Sequence, residues 1–380
     1  LSSILIPFNR ACLGGKELVY VAQAILNGHI SGDGPFTKKC QALLEEELGV
    51  RKALLTSSCT DALEMAALLL DIGPGDEIIV PSFTFVSTAN AFAMFGARLA
   101  FCDIRRDTLN MDETQIEALI TPRTKAIVPV HYAGVGCEMD AIQEIAARHG
   151  VAVVEDNAHA ILAKYKGRHL GTFGCLATQS FHETKNFTCG EGGALFINDE
   201  TYIERAEIVR EKGTNRSRFF RGQVDKYTWV DKGSSYLPSD ILAAFLFAQL
   251  EIRTSIQASR KRVWDTYACG LQPWAAEHEV GLPFSPPHCE QNYHMFYLVM
   301  PSLEVRQRFI AHLKERGIFA VFHYLPLHRS PAGQQYAARP AECPVTDWVS
   351  DRVVRLPMFN DLTEAELERI IAAIHAFTAF

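Results

Sequence analysis

The sequence predicts an α/β fold, with a large domain built on a mostly parallel seven-stranded sheet and a smaller α+β C-terminal domain. Between about residues 50 and 200, short β-branched runs alternate with segments of helical period, as in strands joined through covering helices. Beyond about residue 240 the texture changes to long helical stretches around a Pro-rich segment. The length, 380 residues with 48% hydrophobic content, suffices for one large core and a smaller one. The expected division is 1–245 and 246–380.

In chain order the predicted strands of the first part are KALLTSS, DEIIVPS, ARLAFCDI, TKAIVPVHY, VAVVEDNA, CLATQSF and GALFIND. Between them SCTDALEMAALLLDIG, FVSTANAFAMFG, DETQIEALI and MDAIQEIAARHG read as helices that end at glycines or turns. The first of these is apolar nearly all round, so burial is expected. A single long helix is expected over SDILAAFLFAQLEIRTSIQASRKRVWDTYACGL, connecting the two parts. After the Pro-rich LPFSPPHCEQ come a strand in HMFYLVMP, a helix in VRQRFIAHLKERG, a strand in IFAVFHYLP and a last helix in TEAELERIIAAIHAF. No internal repeat is present.

The net charge of −7 comes from 37 basic and 44 acidic residues mixed throughout. Without a broad cationic field, DNA or RNA is not an expected partner. Ten scattered cysteines, none in a CxxC pair, suit a reducing cytosol. No apolar run approaches the roughly 20 residues of a bilayer span, and the N-terminus lacks a basic segment followed by an apolar one. A cytoplasmic protein with neither membrane span nor signal peptide is expected.

Ligands of open α/β sheets sit at the carboxyl ends of strands, and three polar groups fall there. The first is SSCT, Ser57 to Thr60, between a strand and the apolar helix. It is either a phosphate cradle, using the free N–H groups of a helix start, or a plain N-cap by Ser58 or Thr60. The second is Asp156, closing VAVVED, which needs a cation or several donors there. The cation could be a ligand's, or the residue a helix cap or salt-bridge partner. The third is Lys185 in SFHETKNFTCGEGGAL, either surface charge or an amine placed for a carbonyl compound. As a set they meet the needs of pyridoxal phosphate (PLP): a Schiff-base lysine, a carboxylate that keeps the pyridine nitrogen protonated, and a phosphate cradle. Other phosphate ligands stay open on this pattern alone.

The segments SSCTDALEMAALLLDIGPGDEIIVPSFTFVSTANA, PRTKAIVPVHYAGVGCEMDAI, VVEDNAHA and SFHETKN resemble the PLP-dependent aminotransferases of nucleotide-linked keto-sugars, the DegT/DnrJ/EryC1/StrS family. EIVREKGTNRSRFFRGQVDKYTW, GSSYL and FHYLPLH place the likeness in the branch that aminates dTDP-linked 4-keto-6-deoxy sugars for surface polysaccharides. The likeness covers almost the whole chain, and SFHETKN followed by GEGGA is specific to a narrow branch.

The resemblance implies fold type I and a homodimer whose sites are built from both subunits. It implies that Lys185 is the Schiff-base lysine and proton carrier, that Asp156 pairs with the ring nitrogen, and that His159 contacts the phenolic oxygen. Phe85 would stack on the ring, and Cys59, Thr60 and Ser180 would hold the phosphate. Two positions depart from the family pattern: Cys59 replaces a glycine, and Ser235 replaces an asparagine that reaches across the dimer. The guanidinium groups of Arg216, Arg218 and Arg221 suit a pyrophosphate, although their segment also reads as a solvated loop. His323, Tyr324 and His328 would close the sugar pocket. A metal site from these histidines is not expected, because no carboxylate or thiol at ligand spacing accompanies them. The implied reaction takes nitrogen from L-glutamate to the C4 keto group of dTDP-4-dehydro-6-deoxyglucose, leaving the amine axial. Alternatives are the gluco epimer, perosamine or C3 amination, and a non-catalytic nucleotide-sugar sensor. A dehydratase of the same scaffold would carry histidine in place of Lys185.

Overall fold

The structure, a computed structural model, describes residues 5–378. Helices α1 (Glu17–Leu26) and α2 (Pro35–Leu48) precede β1 (Lys52–Thr56). There follow α3 (Cys59–Leu69), β2 (Glu77–Pro81), α4 (Val86–Ala93), β3 (Arg98–Cys102), α5 (Glu113–Leu119), β4 (Thr124–Ile127), α6 (Met139–His149) and β5 (Ala152–Asp156). A short hairpin, β6 (Lys164–Tyr165) and β7 (Arg168–His169), leads to β8 (Leu176–Ser180) and β9 (Gly193–Ile197). Strands β1 to β5, β8 and β9 form one seven-stranded sheet in the order β1-β9-β8-β5-β4-β2-β3. The pairs β2/β3, β2/β4, β4/β5 and β5/β8 are parallel, and β9 runs antiparallel to both of its neighbours. All seven strands coincide with those predicted.

Alternation along the strands sorts their apolar side chains between two covered faces. Leu54, Ile78, Val80, Leu99, Val154, Leu176, Leu195 and Ile197 share one core with α3 and α4. Helix α3 buries Ala62, Leu63, Met65, Ala66, Ala67 and Leu69, the burial expected from its composition. On the opposite face Ala53, Leu55, Ala177, Ala194 and Phe196 meet α2. Ile79, Ala100, Ile127 and Val153 meet α6.

After β9 the chain forms α7 (Ile203–Arg210), α8 (Arg216–Phe220), α9 (Asp240–Glu251) and α10 (Arg253–Glu277). The single long helix expected here is two helices, broken at Ile252 (φ −101, ψ 18). The reason lies in what each half buries. Ala243, Ala244, Leu246 and Leu250 of α9 belong to the core of the large sheet, whereas Val263, Tyr267 and Leu271 of α10 belong to a second core. A straight helix could not serve both.

The remaining elements are β10 (Cys289–Glu290), β11 (Tyr297–Val299), α11 (Leu303–Glu315), β12 (Val321–Phe322), α12 (Pro331–Tyr336), α13 (Pro344–Ser350), β13 (Val353–Arg355) and α14 (Glu364–His375). Strand β10 joins the β6–β7 hairpin, and β11-β13-β12 form an antiparallel sheet. The strand expected over IFAVFHYLP shrinks to Val321–Phe322, because the chain leaves the sheet to carry His323 and Tyr324 inward. Pro326, which has no N–H to donate, follows just beyond. Helix α14 starts with a reciprocal capping box between Thr363 and Glu366. The second core gathers Phe296, Leu298, Phe309, Leu313, Ile370 and Ile374 and also takes in Ile6. We assign the two cores to two domains; the expected division at 245/246 falls within α9, and the chain crosses over near Ile252. Among the described residues, no helix is long and apolar enough to cross a membrane.

Where β9 enters the sheet, Gly193 lies against the start of α3. A Cβ there would stand 2.3 Å from the Ser58 carbonyl carbon and 2.4 Å from the Cys59 nitrogen. Gly193→Ala is therefore expected to lower stability by about 2–3 kcal/mol, as overpacking against backbone does. Gly190 (φ +87) faces open space, and Gly190→Ala should cost only the left-handed penalty of about 1 kcal/mol. Urea midpoints of the two variants, compared at equal m-values, check this ordering.

Candidate active site

Strands β1, β2, β4, β5 and β8 all point the same way, so their carboxyl ends share one edge of the sheet. The loops leaving that edge carry Ser57–Thr60, Ser82–Phe85, His131–Tyr132, Asp156–His159 and Ser180–Lys185. The polar groups singled out in the sequence therefore converge.

Asp156 is the last residue of β5 and is buried. Its Oδ2 accepts from the Thr88 hydroxyl at 2.7 Å and its Oδ1 from the Ala158 N–H at 3.1 Å. Burial raises its pKa, while these two donors and the charge of Lys185 pull the other way. About half of a carboxylate's acceptor sites remain unused, and burial favours a cation beside it.

Lys185 lies in the loop from β8 to β9, its own N–H donating to the His182 carbonyl at 2.9 Å. The next residue anchors the loop: Asn186 Nδ2 donates to the Asn292 carbonyl (2.8 Å) and to Gln257 Oε1 (3.0 Å), while His294 Nδ1 meets Asn186 Oδ1 at 2.8 Å. Burial lowers the Lys185 pKa from 10.5 to about 8, opposed by Cys59 and Asp156 and helped by the charge of Arg355. A buried amine in this range is partly neutral at physiological pH and can act as nucleophile or base.

His159 is buried and stacked on His294, with ring centroids 4.4 Å apart and planes at 23°. Its Nε2 lies 3.4 Å from the Tyr324 hydroxyl, and its Nδ1 has no partner. Burial, then Lys185 and Arg355, push its pKa well below the usual value, so the ring is neutral. His323 joins the cluster through Nδ1 at 2.9 Å from the buried Tyr132 hydroxyl. Phe85, at the start of α4, is 56% exposed, an aromatic face left open with the Tyr324 ring 6.3 Å away.

Helix α3 begins at Ser58, whose Oγ accepts from the Asp61 N–H at 3.0 Å. Ser58 is thus the N-cap, and the first N–H groups of α3 have no acceptor within the helix. The Thr60 hydroxyl donates to Ser87 Oγ at 2.8 Å. Ser57 is tied back through its N–H to the Tyr236 carbonyl at 2.8 Å. Burial keeps the Cys59 thiol protonated, with Asp156 adding to the effect. Ser180, which ends β8, is buried beside the same edge.

Other expected residues lie elsewhere within the chain. Arg216, Arg218 and Arg221 are in α8, where Arg218 pairs with Glu204, Arg221 with Glu207 at 2.8 Å, and Arg216 with Glu211 at 3.8 Å. Ser235 is exposed and bridges to Glu211. His328 is held by Ser82 Oγ at 2.7 Å and approaches Asp347 at 3.6 Å, outside the His159 cluster. Four residues at the site went unread in the sequence: Thr88, Tyr132, His294 and Arg355. For Arg355 the available signal was a lone charge inside the apolar run VVRLPMF.

Residues 11–375 match the DegT/DnrJ/EryC1/StrS aminotransferase family. Among solved structures, the chain is similar to the aminotransferase TlmJ from Streptoalloteichus hindustanus, with 30% identity over 98% of each chain and a TM-score of 0.89. It is similar to Spr1654 from Streptococcus pneumoniae in its PLP form, with 27% identity over 98% of each chain and a TM-score of 0.89. It is also similar to PseC from Helicobacter pylori, an aminotransferase involved in pseudoaminic acid biosynthesis, with 25% identity over 97% of this chain and 98% of that one and a TM-score of 0.86.

The lowered pKa of Lys185 has a direct consequence. In cofactor-free protein, trinitrobenzenesulfonate labelling of Lys185, located by peptide mass spectrometry, should rise with pH to half its maximum near pH 8. A half-maximum near 10.5 would show that burial does not tune this amine.

Proposed function

The chain belongs to the DegT/DnrJ/EryC1/StrS aminotransferase family, whose chemistry depends on PLP, and on that premise we propose that it is a dTDP-4-amino-4,6-dideoxygalactose transaminase. It moves the amino group of L-glutamate to the C4 keto group of dTDP-4-dehydro-6-deoxy-D-glucose. The products are 2-oxoglutarate and dTDP-4-amino-4,6-dideoxy-D-galactose, the latter destined for a surface polysaccharide. The observation that carries the reading is the amine of Lys185, tuned to about pKa 8 and facing the charge of Asp156.

The residues present fit PLP on three counts. The buried Asp156 keeps acceptor capacity for a protonated ring nitrogen. His159 Nδ1 is a buried polar atom without a partner, able to meet the phenolic oxygen. No described group hydrogen-bonds the Lys185 amine, which leaves it free to bond a carbonyl carbon. In this reading Cys59, Thr60 and Ser180 would hold the phosphate at the start of α3, and Phe85 would cover the ring. When bound, PLP supplies an aldehyde that takes up the transferred nitrogen and a ring that accommodates the electron pair left when a C–H bond breaks.

Lys185 then takes the proton from the α-carbon of the donor and returns one at C4 of the sugar. An amine with a pKa near the working pH does both without a large energetic bias. Asp156 stabilises positive charge on the ring nitrogen, and a neutral His159 adds hydrogen bonding without opposing that charge. His323 and Tyr324 border the hexose, with His328 supporting that wall through Ser82.

A homodimer belongs to the same reading. Helix α8 and the segment after it expose Phe220 (70%) and Trp229 (77%), apolar surface of the kind that marks an association site. Ser235, Arg216, Arg218 and Arg221 of one protomer then serve the other's phosphate and pyrophosphate. A cytoplasmic location, with neither nucleic acid nor membrane as partner, completes the proposal.

Incubation with L-glutamate and dTDP-, UDP- and GDP-linked 4-keto-6-deoxy sugars tests the assignment. The dTDP sugar should be consumed fastest, and the small vicinal proton coupling at C4 of an axial amine should identify the product. A large coupling, or preference for another nucleotide, would replace the substrate assignment. Asp156→Asn should retain cofactor yet lose at least about 100-fold in turnover, near 2.7 kcal/mol of barrier. Near-normal rates would remove Asp156 from its role.

A further inference from the structure

Three consecutive residues, Asn292 to His294, close over the two loops that carry His159 and Lys185. Asn292 Nδ2 donates to the His159 carbonyl at 2.7 Å and to the Ile161 carbonyl at 3.0 Å. Its own carbonyl accepts from Asn186 Nδ2 at 2.8 Å. Between them, Tyr293 has a left-handed backbone (φ 54), a conformation that costs free energy in a bulky residue. The turn is held from behind by the buried Arg260 of α10, whose Nε donates to the Tyr293 carbonyl at 3.0 Å and whose guanidinium also reaches the His294 carbonyl. It brings Asn292 and His294 to bear on the same pair of loops.

The tautomer of His294 follows from its partners. Asn186 Nδ2 meets a backbone carbonyl, so the amide orientation is fixed and Asn186 Oδ1 is left as an acceptor. His294 Nδ1, 2.8 Å away, is therefore the donor. Burial, then His159, Lys185, Arg260 and Arg355, hold the ring neutral. On its face lies the His159 ring, 4.4 Å between centroids and 23° between planes. The other rings near His159, Tyr132 and His323, stand farther off at 5.9 and 6.1 Å. His159 has little else to fix its plane: Nδ1 has no partner, and Nε2 makes one long contact of 3.4 Å with the Tyr324 hydroxyl. The χ2 torsion of histidine is intrinsically broad, so the stack with His294 sets the plane.

The geometry points to His294 as a positioning residue that holds the His159 ring by its face and the lysine loop by its Nδ1–H. This rests on the reading of His159 above, as the group that meets the phenolic oxygen of PLP. With Tyr324 donating to Nε2, the neutral His159 carries its proton on Nδ1, and a ring turned out of this plane withdraws that proton from the phenolic oxygen. Asn186 directly follows Lys185, so the same histidine also limits where the lysine loop sits. One side chain from outside the large sheet thereby relates two loops that leave separate strands.

A donor at the phenolic oxygen drains negative charge from it, which weakens its support of the positive nitrogen beside it and lowers the pH midpoint of the visible absorbance of bound PLP. Two substitutions separate the roles of His294. His294→Asn keeps an N–H close to the Nδ1 position and removes the ring face; His294→Phe keeps the face and removes the N–H. In PLP-loaded protein the midpoint should rise by about 0.5–1 pH unit in His294→Asn and by less than about 0.3 in His294→Phe. In cofactor-free protein, trinitrobenzenesulfonate labelling of Lys185 at a pH above its titration should accelerate about 5-fold or more in His294→Phe and less than about 2-fold in His294→Asn. Should one variant not fold, the other decides alone. Equal changes in both variants, or none in either, would overturn the assignment. His159→Phe serves as the reference: a midpoint that it leaves unmoved would overturn the reading of His159, whereas a midpoint moved by it and not by His294→Asn would overturn only the role of His294.

Discussion

One strand running against its neighbours fixes the whole site. Because β9 is antiparallel to β8, the chain returns at the carboxyl edge of the sheet instead of crossing back over a helix. The return loop, residues 181–192, holds Lys185 at the edge where the parallel strands deliver Asp156 and the start of α3. Gly193 then allows β9 to lie directly against Ser58 and Cys59. The end of the lysine loop and the helix start are thereby held together backbone to backbone.

Two acids adjacent in sequence show how the sheet separates structural from chemical roles. Glu155 and Asp156 point to opposite faces of β5. Glu155 accepts from the N–H groups of Gly171, Phe173 and Gly174 and meets His131 Nε2 at 2.9 Å. With four partners, that carboxylate has no capacity left for a ligand. Asp156, given only two donors, keeps some.

What could be read from the sequence follows from how local each signal is. The seven strands were legible because each is a short β-branched run bounded by turns, and Asp156 and Lys185 stood out because they fall at or just past the ends of those strands, whereas His159 was marked by the family resemblance. The break at Ile252 was not, since α9 and α10 are continuous in helical period and differ only in which core they bury. Tyr132, His294 and Arg355 come from three distant segments whose meeting depends on tertiary packing. The region of α12, α13 and β13 carries no run long enough to declare itself. Arg216, Arg218 and Arg221 have a double character: their charges suit a pyrophosphate, yet Glu204 and Glu207 of α7 and Glu211 at its C-cap supply each with a carboxylate inside the same chain.

The site is shared between the two cores, and the N-terminal segment links them. The large sheet contributes the amine, the acid and the helix start, while His294, His323, Tyr324 and Arg355 arrive from the second part of the chain. Ile6 pairs with Ile318 and is buried in the second core. Two residues on, Phe8 covers the guanidinium of Arg355. Asn9 Nδ2 then donates to the Glu183 carbonyl at 3.1 Å, in the loop that carries Lys185. A stretch of four residues thus connects the second core, the unpaired cation and the lysine loop in series. One short N-terminal stretch thus touches both Arg355, through the Phe8 ring, and the loop that carries Lys185, through the Asn9 amide.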